Sequence, residues 1–498
     1  MNVNPITRLD YPDPDVIRVE DTYYMVSTTM HFMPGCEILQ SFDLVHWEHA
    51  TYVYETLDHT DAQQLKSGQN IYGQGMWAAS LRYHEGRFYI CFVANDTRKT
   101  YLYTSEKIDG PWKKQLIEGF YHDGSLLFDE DGRNYIVYGN DEIWITELNE
   151  DLTAPKKDGL HRLLVSDHKN PELGYEGSHI QKINGYYYIF LVHSLRDRWM
   201  RTEACFYSDS LEGEFTGGDV LCDDRGYCGQ GVAQGGIVDM PDGKWYAMLF
   251  QDSGAVGRIP ILLPVTWKDH FPFFGQNGHV PEEIEVHSTR PGYIYQPLVG
   301  SDDFCNGLLP RWQFNHDPDP RYYHLDALQG TYTITTREVC TELTQAVNTL
   351  TQRMSYPSCA AEVTVDASAL KEGDVAGLCA LQGCYAAVGI TKHHGKYEVL
   401  MLDKKEDGIL DMTEGTVVES HQMDFRLEAD FCNMKDEARC YYRVNKGDWL
   451  PIGTVHKLYF KLDHFTGCRF GLFCYAAEET GGSACFRDFK YYDVDEIS

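Results

Sequence analysis

YPDPDV (residues 11–16), HDGSLLFDEDG (122–132) and YEGSH (175–179) each place an acid, Asp13, Asp123 or Glu176, at the opening of a segment that repeats one strand pattern. An aromatic strand follows each: Tyr23-Tyr24 after Asp13, Tyr135 after Asp123 and Tyr187-Tyr188 after Glu176. Two further segments share the pattern without a central acid, WAASLRYHEGRFYICF (77–92) and VAQGGIVDMPDGKWYAMLF (232–250). Self-similarity at roughly 45 to 65 residues, each unit a short apolar strand, a turn and an aromatic strand, is the signature of radial blades. The sequence therefore predicts an all-β chain that begins with a five-bladed β-propeller.

The turns agree. EDT (20–22), HEGR (84–87), DEDGRN (129–134), INGY (183–186) and PDGK (241–244) are short hairpin connectors. A residue that opens the innermost strand of a blade points at the central channel, so Asp13, Asp123 and Glu176 are expected to converge although more than 160 residues separate the outer two. Asp15, Asp129 and Asp131 fall off that phase and read as turn or surface residues. Asp10 is kept out of the group by strand parity.

Composition sets bounds. At 498 residues two domains are expected, and 43% hydrophobic content fills both cores. The Pro-, Gly- and Ser-containing stretch 280–301 reads as a linker between a propeller at 1–279 and a β-sandwich at 302–498. YTITT (332–336), AAEVTVDA (360–367) and RFGLFCYA (469–476) alternate as sandwich strands do. TLTQR (349–353) and GLCALQG (377–383) read as core strands rather than a sugar-binding face. A net charge of −32 argues against nucleic acid or an anionic membrane as partner. The 15 Cys form no C-x-x-C pair, and none of the 20 His falls in a metal-ligand spacing, so reduced thiols are expected. With no signal-like or long apolar segment, the expected address is the cytoplasm. The sequence sets no oligomeric state.

Two carboxylates facing each other across a pocket can hydrolyse a glycosidic bond, one protonating the leaving oxygen and one activating water. Asp13, between Pro12 and Pro14, is held rigidly and suits the base. Glu176, with its longer side chain beside Gly177, suits the acid. Asp123 is expected to raise the Glu176 pKa by like-charge repulsion and to orient it.

On the motifs YPDPDVIRVEDTYYMVSTT (11–29), GMWAASL (75–81), YHDGSLLFDEDGRNYIVYG (121–139) and YEGSHIQKINGYYYIF (175–190), the chain resembles glycoside hydrolase family 43, five-bladed propellers with an inverting Asp, Asp, Glu triad. The resemblance implies a base at Asp13, a pKa modulator at Asp123 and an acid at Glu176. It further implies an aromatic sugar-binding wall at Phe32 in HFMPG, a pocket Trp at Trp77, and sugar contacts from Gln234 and Arg258 in the fifth blade. Many relatives carry a His before Gln-Gly-Gly that supports calcium or a water cluster in the channel; here Ala233 precedes Gln234-Gly235-Gly236. No cofactor is then required, and a structural calcium held by carboxylate and carbonyl oxygens is the alternative.

A pocket narrowed by bulky walls favours one terminal pentose. The expected activity is exo-cleavage of β-D-xylosyl and α-L-arabinofuranosyl ends of xylo- or arabinoxylo-oligosaccharides. The alternatives are an arabinanase acting on α-1,5-arabinan and a sugar-binding propeller without turnover.

Overall fold

The structure, a computed structural model, describes residues 2–413, 415–461 and 463–493. Five four-stranded antiparallel sheets follow one another, each built from consecutive strands except the first, from which the short strand Phe32–Met33 departs. Their innermost strands are Asp15–Val19, Met76–His84, Ser125–Phe128, Glu176–Ile183 and Ala233–Asp239. This is the five-bladed β-propeller the repeat predicts. The second strand of each blade supplies the packing: Tyr187 to Val192 are all buried, as are Phe88 and Ile90 to Ala94. The hairpins form where expected. Ile183 pairs with Tyr186 across Asn184 (φ 50°) and Gly185 (φ 85°), the two left-handed residues of the tight turn that matches strand twist.

Arg82, from blade two, crosses the channel. Its guanidinium donates to Asp15 of blade one at 2.8 Å, to Ser125 Oγ and the Leu126 carbonyl of blade three at 2.7 and 2.8 Å, and to the Ile180 carbonyl of blade four at 3.1 Å. His179 adds a contact to Asp15 at 3.1 Å. Asp15 is thus not a turn or surface residue: it is fully buried at the hub, and Arg82 and His179 outweigh burial to hold its carboxyl down to about 2. Asp129 opens the expected hairpin turn, its carbonyl accepting the Gly132 N–H at 3.0 Å, but its side chain is not on the surface. It is buried, bonded to Lys182 at 2.6 Å and to the Tyr187 hydroxyl at 2.5 Å. Off-phase acids can satisfy charges inside the blade stack, which strand phase alone does not reveal. Asp131 is exposed.

Residues 280–301 run along the propeller rather than free of it. Glu283–Ile284 pairs with Asn2–Val3, and Arg290 bonds to Asp21 of blade one at 2.7 Å. The C-terminal strands form two packed sheets whose inner faces carry the largest apolar cluster, including Phe314, Leu378, Val388, Phe425 and Phe470. Leu350–Arg353 and Val375–Leu381 are buried strands of it. All fifteen cysteines are free.

The two bodies share a sheet. Phe32–Met33, a short strand leaving blade one, pairs with Gln313–Asn315 at the edge of one sandwich sheet. Beside it lies a buried ion pair across the seam, Arg353 to Glu37 at 2.8 Å. Phe32 is therefore not a wall of the sugar pocket. It is fully buried among Leu343, Val375 and Tyr385 of the sandwich, with the Arg469 guanidinium 3.5 Å above its ring. The backbone pairing turns its side chain into the domain seam.

Candidate active site

Asp13, Asp123 and Glu176 gather at one end of the channel. Asp13 and Asp123 precede their strands in the left-handed region, with φ 53° and 46°. That backbone is uncommon outside glycine and recurs where function fixes geometry. Asp13 is locked on both oxygens: Arg258 Nη1 donates to Oδ1 at 2.9 Å and the Thr28 hydroxyl to Oδ2 at 2.6 Å. Asp123 Oδ2 accepts the Gly177 N–H at 3.0 Å, tying it to the residue after Glu176. The Glu176 carboxylate accepts from Asn140 Nδ2 at 2.9 Å.

Sequence reasoning passed over His122, which lies inside the quoted motif. Its Nε2 is 3.5 Å from Glu176 Oε2 and 3.6 Å from Asp123 Oδ2. These three side chains bring one polar atom each to within 4.8 Å of the others. The charge of Asp123, aided by Glu176 and Asp13, holds the His122 imidazole up to about 9 against burial. Burial pushes Asp123 up to about 6, with Glu176 and Asp13 adding to the rise. Glu176 goes the other way. Burial would raise it, but His122, Arg201 and Arg258 together leave its carboxyl below the usual range. In the ligand-free pocket the neighbouring cations thus outweigh burial at Glu176, and the like-charge repulsion within the acid pair shows as a rise at Asp123.

Of the remaining expected residues, Trp77 lines the pocket, 6.1 Å from the His122 ring. Gln234 (φ 68°) folds its side chain over Gly177, where a Cβ would meet its Cγ at 2.6 Å. Its N–H donates to buried Glu203 at 2.7 Å. Arg258 is paired with Asp13 and lies 3.4 Å from Asp252, which also takes Arg201 at 3.0 Å.

The sandwich completes the site. Phe465 stacks on Trp77 with centroids 5.0 Å apart and planes at 25°, and lies under the Arg258 guanidinium at 4.1 Å. Phe460 of the same loop is 5.6 Å from that guanidinium. Asp10, rightly left out of the acid group, clamps both sides: it accepts from the Arg258 N–H at 2.7 Å and the Gly467 N–H at 2.9 Å. No motif in the sandwich sequence marks Phe465; only the fold brings it here.

Calcium fits the hub poorly. Both Asp15 oxygens are taken, one by Arg82 and the Leu81 N–H, the other by His179. Among the described residues, the one cluster with ligand-like spacing is His122, Asp123 and Glu176.

A five-bladed propeller with three carboxyls and an aromatic-walled pocket at its hub defines a glycosidase. Residues 3–272 match glycosyl hydrolases family 43, and residues 301–492 match the concanavalin A-like domain found at the C-terminus of β-xylosidases. The chain belongs to glycosyl hydrolase family 43. It is 26% identical to a β-xylosidase of Formosa agariphila, over 99% of this chain and 89% of that one. A bifunctional GH43-CE protein of Bacteroides eggerthii superposes with a TM-score of 0.91 at 41% identity, covering 99% of this chain and 63% of the other, so this chain spans under two thirds of that protein. A GH43 enzyme engineered to display endo-xylanase and exo-arabinofuranosidase activity superposes at 0.87 with 27% identity, covering 99% of both.

Proposed function

We propose that this glycosidase removes single terminal pentoses, β-D-xylose and α-L-arabinofuranose, from xylan-derived oligosaccharides with inversion at the anomeric carbon and without a metal. The observation that carries the reading is the meeting of Asp123 and Glu176, with Asp13 close enough for its charge to act on Asp123, beside the stacked rings of Trp77 and Phe465. In the reaction Asp13 takes a proton from water as the water oxygen bonds to the anomeric carbon. The glycosidic C–O bond breaks, and Glu176 gives its proton to the leaving oxygen. Asp13 gains the proton that Glu176 loses, and exchange with solvent resets both.

Arg258 holds the Asp13 carboxylate in place through its hydrogen bond to Oδ1. Asp123 holds the Glu176 backbone through Gly177. The relatives' names supply the pentose: the Formosa protein is a β-xylosidase, and the engineered enzyme carries exo-arabinofuranosidase activity.

The test is hydrolysis of 4-nitrophenyl β-D-xyloside and α-L-arabinofuranoside by wild type and Asp13→Asn. Release that vanishes in the variant supports the reading. Silence of wild type on both, with cleavage of α-1,5-arabinan, would replace it by an arabinanase.

A further inference from the structure

His122 belongs to no part of the triad, yet it stands closer to both halves of the acid pair than any other cation. Its Nε2 is nearly equidistant from Glu176 and Asp123, just beyond hydrogen-bond reach of each, and is buried with no hydrogen-bond partner. A donor so placed needs only a small movement to commit to one carboxyl. The loop is fixed behind it, the His122 carbonyl accepting the Gly139 N–H at 3.1 Å.

The charged groups around it come from every blade that faces the pocket. Asp123 lies on its own loop, Glu176 opens the inner strand of blade four, and Asp13 precedes that of blade one. Arg201 comes from the third strand of blade four, and Asp252 and Arg258 from the second and third strands of blade five. The neutral neighbours are Asn140 and Trp77. The two guanidiniums are committed elsewhere, Arg258 to Asp13 and Asp252, and Arg201 to Asp252. Four carboxyls thus face two arginines. With a neutral imidazole, two negative charges would stand uncompensated among these side chains. With an imidazolium, one proton shared by Asp123 and Glu176 brings the pocket to neutrality, and one proton is what acid catalysis needs.

We propose that His122 is a positioning residue of the reaction: as an imidazolium between Asp123 and Glu176 it holds the pair at a single proton, aims the Glu176 carboxyl, and sets the basic limb of the rate–pH profile. The proposal rests on the glycosidase mechanism above. Its sign is definite. A cation beside Glu176 favours the carboxylate, so the acid form is lost at lower pH than it would otherwise be. Removing the cation moves that loss upward.

The experiment compares wild type, His122→Phe and His122→Gln. The readout is kcat/KM from about pH 4 to about pH 10 on xylobiose, whose leaving group needs the acid, and on 4-nitrophenyl β-D-xyloside, whose leaving group needs it less. Both variants should move the basic limb on xylobiose upward by about one pH unit or more, and less on the aryl glycoside. Gln keeps a donor without the charge, so a shift in both variants identifies charge as the cause. Melting temperatures identify a misfolded variant; should Phe misfold, Gln alone decides. A uniform fall in rate with the limb unmoved would overturn the proposal and leave His122 a packing residue. A wild type inactive on every pentoside would instead overturn the mechanism it rests on.

Discussion

Phe465 of the sandwich and Trp77 of the propeller lie ring on ring, 5.0 Å apart, so both domains contribute to the site. Phe465→Ala removes one face of that stack. An aromatic contact of this kind contributes about 1 kcal/mol beyond its area. The expected result is a KM for 4-nitrophenyl β-D-xyloside raised about tenfold with a smaller change in kcat, read by steady-state kinetics.

Gly467 sets the path of the same loop. A Cβ there would meet the Val256 carbonyl oxygen at 2.1 Å and Asp10 Cβ at 2.8 Å, both held by the fold. Gly467→Ala must push the loop outward. Melting temperature should fall and KM should rise together, whereas an unchanged KM would show that Phe465 is held by other contacts.

Glu176→Ala separates acid catalysis from the rest. Activity on xylobiose should fall by roughly a hundredfold or more, and on 4-nitrophenyl β-D-xyloside much less. Equal losses on both substrates would remove Glu176 from the acid role.

Arg353 joins the domains through Glu37, both almost wholly buried. Arg353→Met leaves that carboxylate without its cation at the seam, a change that costs about 3–5 kcal/mol. Urea unfolding should register the loss. Arg353→Met with Glu37→Gln should recover part of it.

Three histidines meet at the seam: His31, His316 and His464, with rings 4.8 and 4.9 Å from that of His31. Burial, with their mutual repulsion and Arg469 adding to it, holds His31 well below its ordinary value; burial does the same for His316 and takes His464 down to about 3. Such groups bind protons more readily in the unfolded chain. They leave stability untouched above about pH 6.5 and erode it as pH falls below that, by up to about 1.4 kcal/mol per unit per histidine. Unfolding between about pH 7 and about pH 5 should show that slope. His31→Leu should flatten it, since neither ring nitrogen of His31 has a partner to lose.

The propeller and its acids were legible because a repeat carries phase: Asp13, Asp123 and Glu176 open equivalent strands, and equivalent strands face one axis. Phe32 was misread because the same phase is silent about the connection between the second and third strands of blade one, where two residues pair with the sandwich instead. Asp15 was misread because an acid inside a strand looks exposed until its cation is known, and Arg82 lies 67 residues away. Phe465 carries no local signal, since an aromatic residue in a loop becomes a wall only through a contact between domains. His122 stood in plain view beside Asp123, and its role depends on a distance to Glu176 that sequence does not encode.

Arg82, anchored in four blades, ties their inner strands together across the hub, so that in the proposed reaction the sugar enters from the side where Trp77 and Phe465 meet. In the proposed reaction the sugar that enters first reaches the floor, and the rest of the chain lies above it. After cleavage the order reverses: the shortened oligosaccharide departs first, and the freed pentose, first in, leaves last. On the proposed reaction, accumulating pentose competes directly with new chains for the same place.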